Sequence, residues 1–87
     1  MPHIEMYTTG MCPYCVRAKM LLKNKGVAWE EIRVDRDQDQ LQTMLKRSQQ
    51  RTVPQIFIND QSIGGFDELA ALNKSGELDT LLQLNEV

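Results

Sequence analysis

Long apolar runs are missing from this 87-residue chain: none approaches the roughly 18 residues that cross a bilayer as a helix, so no membrane role is expected. Histidine is nearly missing as well. His3 stands alone beside the terminus, too remote to serve as a base or ligand, and with two cysteines it cannot supply the four ligands of a structural zinc site. Surplus positive charge is absent, since ten Lys and Arg face twelve Asp and Glu; the net charge of −2 argues against nucleic acid as a partner. The N-terminal residues Met1-Pro2-His3-Ile4-Glu5 lack the charged and apolar regions of a signal peptide, which leads us to expect a cytoplasmic protein. Repeats, linkers and low-complexity tracts are absent too. With 41% apolar and 25% charged residues, the expectation is one soluble globular domain spanning residues 1–87, a monomer with a single small core.

Cysteine is scarce but concentrated. The only two, Cys12 and Cys15, fall where a short apolar segment (Ile4 to Tyr7) gives way to a helical pattern. Residues three apart share a helix face, so the two sulfurs can join in a disulfide or hold one ion between them. Pro13 suits the first helical turn, where its missing N–H costs nothing. Cys12 then lies at or near the N-cap, facing unpartnered N–H groups and the positive end of the helix dipole, which favour a thiolate. In the cytoplasm structural disulfides are rare, so Cys-x-x-Cys reads as redox or metal chemistry rather than a staple.

The rest of the chain frames this pair. Ile4 to Tyr7 alternates as a strand does, and Thr8-Thr9-Gly10 supplies a turn. From Pro13 to Lys25 the spacing predicts a helix whose apolar stripe is Val16, Met20 and Leu21, flanked by Ala18 and Leu22 and closed by Gly26. Arg17, Lys19, Lys23 and Lys25 decorate it, with no acidic residue between Thr8 and Trp29. Two readings fit: a solvated face, or a positive field that favours a thiolate and draws in anions. A second strand is expected with its core at Glu30 to Val34. A helix of about three turns follows, with Asp37 and Gln40 as a capping box and Leu41, Met44, Leu45 and Ser48 at helical spacing. The continuous run Gln55-Ile56-Phe57-Ile58 predicts a strand buried on both faces, paired through Asn59-Asp60-Gln61 with a short strand at Ser62-Ile63-Gly64. Phe66, Leu69, Ala70 and Asn73 predict a helix closed near Gly76, and Leu78, Leu81 and Leu82 a last short one. The order β-α-β-α-β-β-α-α is an α/β layout with one parallel pair and a hairpin at the far edge, that of a thioredoxin-type fold. A Cys-x-x-Cys after the first strand of such a unit reads as a redox motif.

Three separated stretches, Cys12-Pro13-Tyr14-Cys15, Thr52-Val53-Pro54 and Gly64-Gly65-Phe66-Asp67, together resemble a glutaredoxin. The similarity is to small bacterial dithiol glutaredoxins of the glutaredoxin 3 class and runs from about Ile4 to Leu82. The resemblance implies a thioredoxin-like fold with a four-stranded mixed sheet flanked by helices. It also implies a glutathione-dependent thiol–disulfide oxidoreductase that reduces protein disulfides and glutathione mixed disulfides. Cys12 would be the attacking thiolate and Cys15 the resolving thiol. Thr52-Val53-Pro54, with Pro54 in cis, would present its backbone so that glutathione pairs with Val53 like an added strand. Backbone N–H groups at Phe66 and Asp67 would hold the γ-glutamyl carboxylate as helix N-termini hold anions, and the Asp67 side chain would take the ammonium. Gly64-Gly65 would permit close approach of the backbone. A plain turn with an N-cap is the rival reading of Gly-Gly-Phe-Asp taken alone.

This chain departs from the family pattern twice: Thr9 stands where a lysine is common, and Met11 where threonine is. Arg51 is the candidate to replace the missing cation toward glutathione's glycine carboxylate; its rival reading is an ordinary exposed arginine. Met11 adds apolar surface at the rim, for a protein substrate or for packing. Tyr14 is expected to shape the groove and stack on a ligand, with core packing of its ring as the alternative. Glutathione is thus expected as co-substrate, disulfide-containing or glutathionylated proteins as substrates, and no metal. Two other functions use the same residues: a cluster carrier in which two chains bridge an iron–sulfur cluster through Cys12 and glutathione, which Pro13-Tyr14 disfavours, and a reductant recycled by thioredoxin reductase.

Overall fold

The sheet is built outward from β1 (Ile4–Thr8), which pairs in parallel with β2 (Glu30–Arg33) and antiparallel with β3 (Gln55–Ile58). β4 (Gln61–Gly64) adds antiparallel to β3, giving the order β2-β1-β3-β4 in a computed structural model that describes residues 2–83. Four helices complete it: α1 (Pro13–Asn24), α2 (Gln38–Ser48), α3 (Phe66–Ser75) and α4 (Glu77–Leu81). The mixed sheet, the parallel pair and the far hairpin agree with the sequence reading. β1 and β3 carry the apolar runs and sit in the middle, whereas the more polar Glu-Glu-Ile-Arg and Gln-Ser-Ile-Gly segments form the edges, where one side of each strand meets water. Asn59 and Asp60, at φ +50° and +68°, make the two-residue left-handed turn that matches strand twist in a hairpin. No described helix is long and apolar enough to cross a membrane.

Strand alternation divides the core in two. Ile4, Met6, Ile56 and Ile58 face Ala18 and Leu22 of α1, Leu69 of α3, Leu78 of α4 and Leu82. Tyr7 and Phe57 face the other way, against Val34 and Met44 of α2. On this second face Arg47 spans the sheet: it forms a two-pronged pair with Glu5 (3.0 and 3.1 Å), donates to the Tyr7 hydroxyl (2.9 Å) and stacks 3.9 Å over the Phe57 ring.

The expected stripe on the first helix is corrected by the structure. The buried face of α1 is Cys15, Ala18 and Leu22, while Val16 and Met20 are 52% and 60% exposed. The first turn has to bring Cys15 round beneath Cys12, and positions three and seven residues on then face the core with it. Apolarity alone pointed to the neighbouring stripe. The second strand ends at Arg33, one residue early, although Val34 N–H still reaches the Thr8 carbonyl (2.9 Å).

Asp37 caps α2, its carboxylate accepting from the N–H groups of Asp39 (3.0 Å) and Gln40 (3.3 Å). Asp37→Ala is expected to cost about 1 kcal/mol of unfolding free energy, seen as a lower urea midpoint at unchanged slope. An unmoved midpoint would show that this cap contributes nothing.

Candidate active site

β1 runs through a tight bend into α1, and the bend delivers Cys12 as the N-cap with extended backbone (φ −142°, ψ 96°) and Pro13 as the first helical residue. The Cys12 sulfur accepts a hydrogen bond from the Cys15 N–H (3.1 Å). The two residues are joined as a disulfide, with Cα atoms 5.1 Å apart. Their surroundings differ. Cys15 is 1% exposed at the top of the core, whereas Cys12 is only half-buried. No acidic side chain stands in the first turn, so nothing there opposes a negative charge on Cys12. The Val53 carbonyl oxygen lies 3.7 Å from the Cys12 sulfur, a contact that becomes a hydrogen bond only when the sulfur carries a proton.

The bend is clamped from β2. Asp35 accepts twice from Arg33 (2.8 and 2.7 Å) and once from Gly10 N–H (3.0 Å). Hydrogen bonding from Arg33, aided by Gly10, outweighs desolvation and holds the Asp35 carboxyl well below the usual carboxylate range. Beside it, Glu31 receives Thr8 Oγ1–H (2.9 Å) and Lys19 (3.0 Å). Burial pushes Glu31 up, but these bonds together with the charges of Lys19 and Arg33 win and keep it below its ordinary value. The basic face of α1 is thus partly committed: Lys19 pairs with Glu31, Lys25 pairs with Asp79 (2.7 Å), and Arg17 lies 5.2 Å over the Tyr14 ring.

Next to Cys12 opens a groove of about 300 Å³. Thr52, Val53 and Pro54 line it, the Val53–Pro54 peptide being cis. Tyr14 and Phe66 line it too, their ring centres 6.2 Å apart, and Gly65, Asp67 and Glu68 complete it at the N-terminus of α3. Seven of the eight residues taken from the family resemblance as glutathione contacts therefore converge from three distant segments. Arg51 does not line the groove; it is exposed beside Thr52. Tyr14 is 53% exposed, which removes the core-packing alternative. Met11 is 95% exposed, so it packs against nothing substantial and stands as bare apolar surface beside the disulfide.

Glu68 escaped the sequence reading. Its carboxylate accepts from Gly65 N–H (2.7 Å) and fixes the turn into α3. The N-cap-to-N3 spacing of Gly65 and Glu68 was the available signal. Gly64 is required by the same arrangement: its φ is +113°, and a Cβ there would lie 2.8 Å from Glu68 Oε1. With Gly65 N–H satisfied by Glu68, the next amides, at Phe66 and Asp67, remain as anion donors at the helix end.

Residues 4–63 match the family model described as Glutaredoxin. The chain is 51% identical to Glutaredoxin 3 of Escherichia coli over 95% of its own length and 100% of that relative. The solution structure of glutaredoxin from Brucella melitensis superposes with a TM-score of 0.82 at 41% identity, covering 98% of this chain and 92% of that one. A crystal structure of a buckwheat glutaredoxin–glutathione complex superposes with a TM-score of 0.86 at 29% identity, covering 94% and 77%.

Proposed function

The chain belongs to the glutaredoxin family and is a glutathione-dependent thiol–disulfide oxidoreductase, and from that premise we propose how its own residues divide the work. Cys12 is the nucleophile and Cys15 the resolving thiol. The observation that carries this assignment is the unequal setting of one disulfide: the Cys12 sulfur is half-buried, caps a helix and adjoins the groove, and its partner lies in the core.

With a glutathionylated protein, Cys12 thiolate attacks the glutathione sulfur and the protein leaves as a thiolate. A second glutathione thiolate then attacks that same glutathione sulfur on Cys12, forming oxidised glutathione and restoring Cys12. With a protein disulfide, Cys12 forms the mixed disulfide, and the Cys15 thiolate displaces the protein by attacking the Cys12 sulfur. The resulting Cys12–Cys15 disulfide is opened by one glutathione at Cys12, releasing Cys15, and a second glutathione completes the reduction. The helix N-terminus and the Cys15 N–H stabilise the thiolate at each stage where it leaves.

Glutathione lies along the groove, its backbone pairing with Val53 between Thr52 and Pro54. Its γ-glutamyl carboxylate meets the Phe66 and Asp67 N–H groups beside Gly65, and its ammonium meets the Asp67 carboxylate. Tyr14 flanks the sulfur end. Arg51, just outside the lining, is the cation for the glycine carboxylate in place of the lysine that Thr9 replaces. We take the protein to work as a one-domain monomer in the cytoplasm, where a glutathione pool exists to drive it.

Asp67→Ala is the direct test. Losing one charge-assisted bond to the ammonium should raise KM for a glutathionylated substrate about 10-fold in a glutathione-coupled assay, with kcat changed far less. An unaltered KM would remove Asp67 from the binding site.

A further inference from the structure

Gln55 opens β3 directly after Pro54, and no step above uses it. Its side chain is buried, with the residue only 2% exposed, an unusual place for a glutamine. By strand alternation it points to the same side of the sheet as Phe57, toward α2. Its amide nitrogen donates to the Thr52 carbonyl (2.9 Å) and to the Thr52 hydroxyl (3.2 Å). Its amide oxygen has no protein partner among the described residues and is left for water. A second, polar cavity of about 480 Å³ lies on this side, lined among others by Ser48, Ser62, Thr52 and Gln55. Thr52, Gly65 and Glu68 line both this cavity and the glutathione groove. The wall that carries Thr52 therefore has a polar pocket behind it, while the neighbouring Val53 packs against the second core cluster.

We propose that Gln55 is a positioning residue for glutathione: by tying both polar groups of Thr52 from the buried side, it fixes the segment whose Val53 backbone receives the tripeptide. This inference rests on the groove being the glutathione site. The two bonds from one buried amide to a single groove residue are the telling feature. A methionine of similar volume would remove both amide bonds to Thr52 while filling the same space. Thr52 is exposed, so water can take over its carbonyl when the amide is gone. Both bonds of the amide nitrogen end on Thr52, so their loss bears first on the placement of that residue.

The test compares Gln55→Met, Thr52→Val and Asp67→Ala in the full chain, reading thermal midpoint, kcat and KM for a glutathionylated peptide, and the alkylation rate of reduced Cys12. Gln55→Met should leave the midpoint nearly unchanged and raise KM about 3- to 10-fold, the scale of one net hydrogen bond. Its kcat should stay within about twofold and Cys12 alkylation should not move, because chemistry at the sulfur is untouched. Thr52→Val alters an exposed residue and keeps the carbonyl bond, so it should raise KM about twofold and supplies the result even where Gln55→Met folds poorly. If Asp67→Ala raises KM while Gln55→Met and Thr52→Val do not, the positioning role is wrong and the groove assignment stands. If none of the three moves KM, the groove assignment itself fails. A Gln55→Met protein that loses stability while KM holds would mark the glutamine as merely structural.

Discussion

Cys12→Ser is expected to abolish turnover of both substrate classes, by at least about 10³-fold, the scale on which an enzyme loses its nucleophile. Cys15→Ser should keep reduction of glutathione mixed disulfides and lose reduction of protein disulfides that need an internal partner. The difference follows from exposure. An incoming sulfur reaches the half-buried Cys12, and Cys15, 1% exposed, can be reached only by its neighbour. Cys15→Ser also leaves Cys12 as the sole thiol, so its alkylation rate against pH reports one group. That rate should approach its plateau at a pH below the roughly 8.5 of a free cysteine, because the helix end and the Cys15 N–H favour the anion. A Cys12→Ser protein that still turns over, or a Cys12 that alkylates only above that pH, would overturn the assignment.

The second large effect is on stability. Arg47→Met should cost about 2–4 kcal/mol, measured by urea unfolding, while activity per folded molecule stays at the wild-type level. The substitution leaves Glu5, whose side chain is 15% exposed, with only His3 at 3.7 Å, and removes the donor to the Tyr7 hydroxyl at a residue 1% exposed. It also removes the guanidinium over Phe57, although methionine retains part of that contact. Arg47 keeps 26% of its side-chain surface in water, which places the cost below that of a fully buried pair. Asp60, 86% exposed, adds little to it. For a chain of this length the loss corresponds to a fall in Tm of roughly 4–8 °C per kcal/mol. Pairing it with Glu5→Gln should recover part of the loss, since a neutral amide no longer needs the cation; no recovery would assign the cost to the ring contact and Tyr7.

Local chemistry made much of this legible in the sequence. Cys12-Pro13-x-Cys15 at a strand-to-helix junction dictates an N-capping sulfur, and the apolar runs of β1 and β3 demand central strands. The groove was readable only because the family resemblance joined Thr52–Pro54 to Gly65–Asp67; no periodicity links segments so far apart. Features that depend on long-range partners stayed hidden. Arg47 and Glu5 are 42 positions apart, and the Asp35 clamp on Gly10 spans 25. The buried stripe of α1 misled for a different reason. Val16 and Met20 are more apolar than Ala18, yet the face is fixed by where Cys15 must turn. Gln55 looked like one more residue of a buried strand, and nothing in its neighbours signals that its amide reaches back to Thr52.

The burial of Cys15 leaves the molecule with a single electrical terminal. With Cys12 as the proposed nucleophile, electrons arrive from glutathione and depart to the substrate through that one sulfur atom, so donor and acceptor must take turns. Steady-state rates should accordingly give parallel double-reciprocal lines, a ping-pong pattern, with each partner competing for the form of the enzyme that the other consumes.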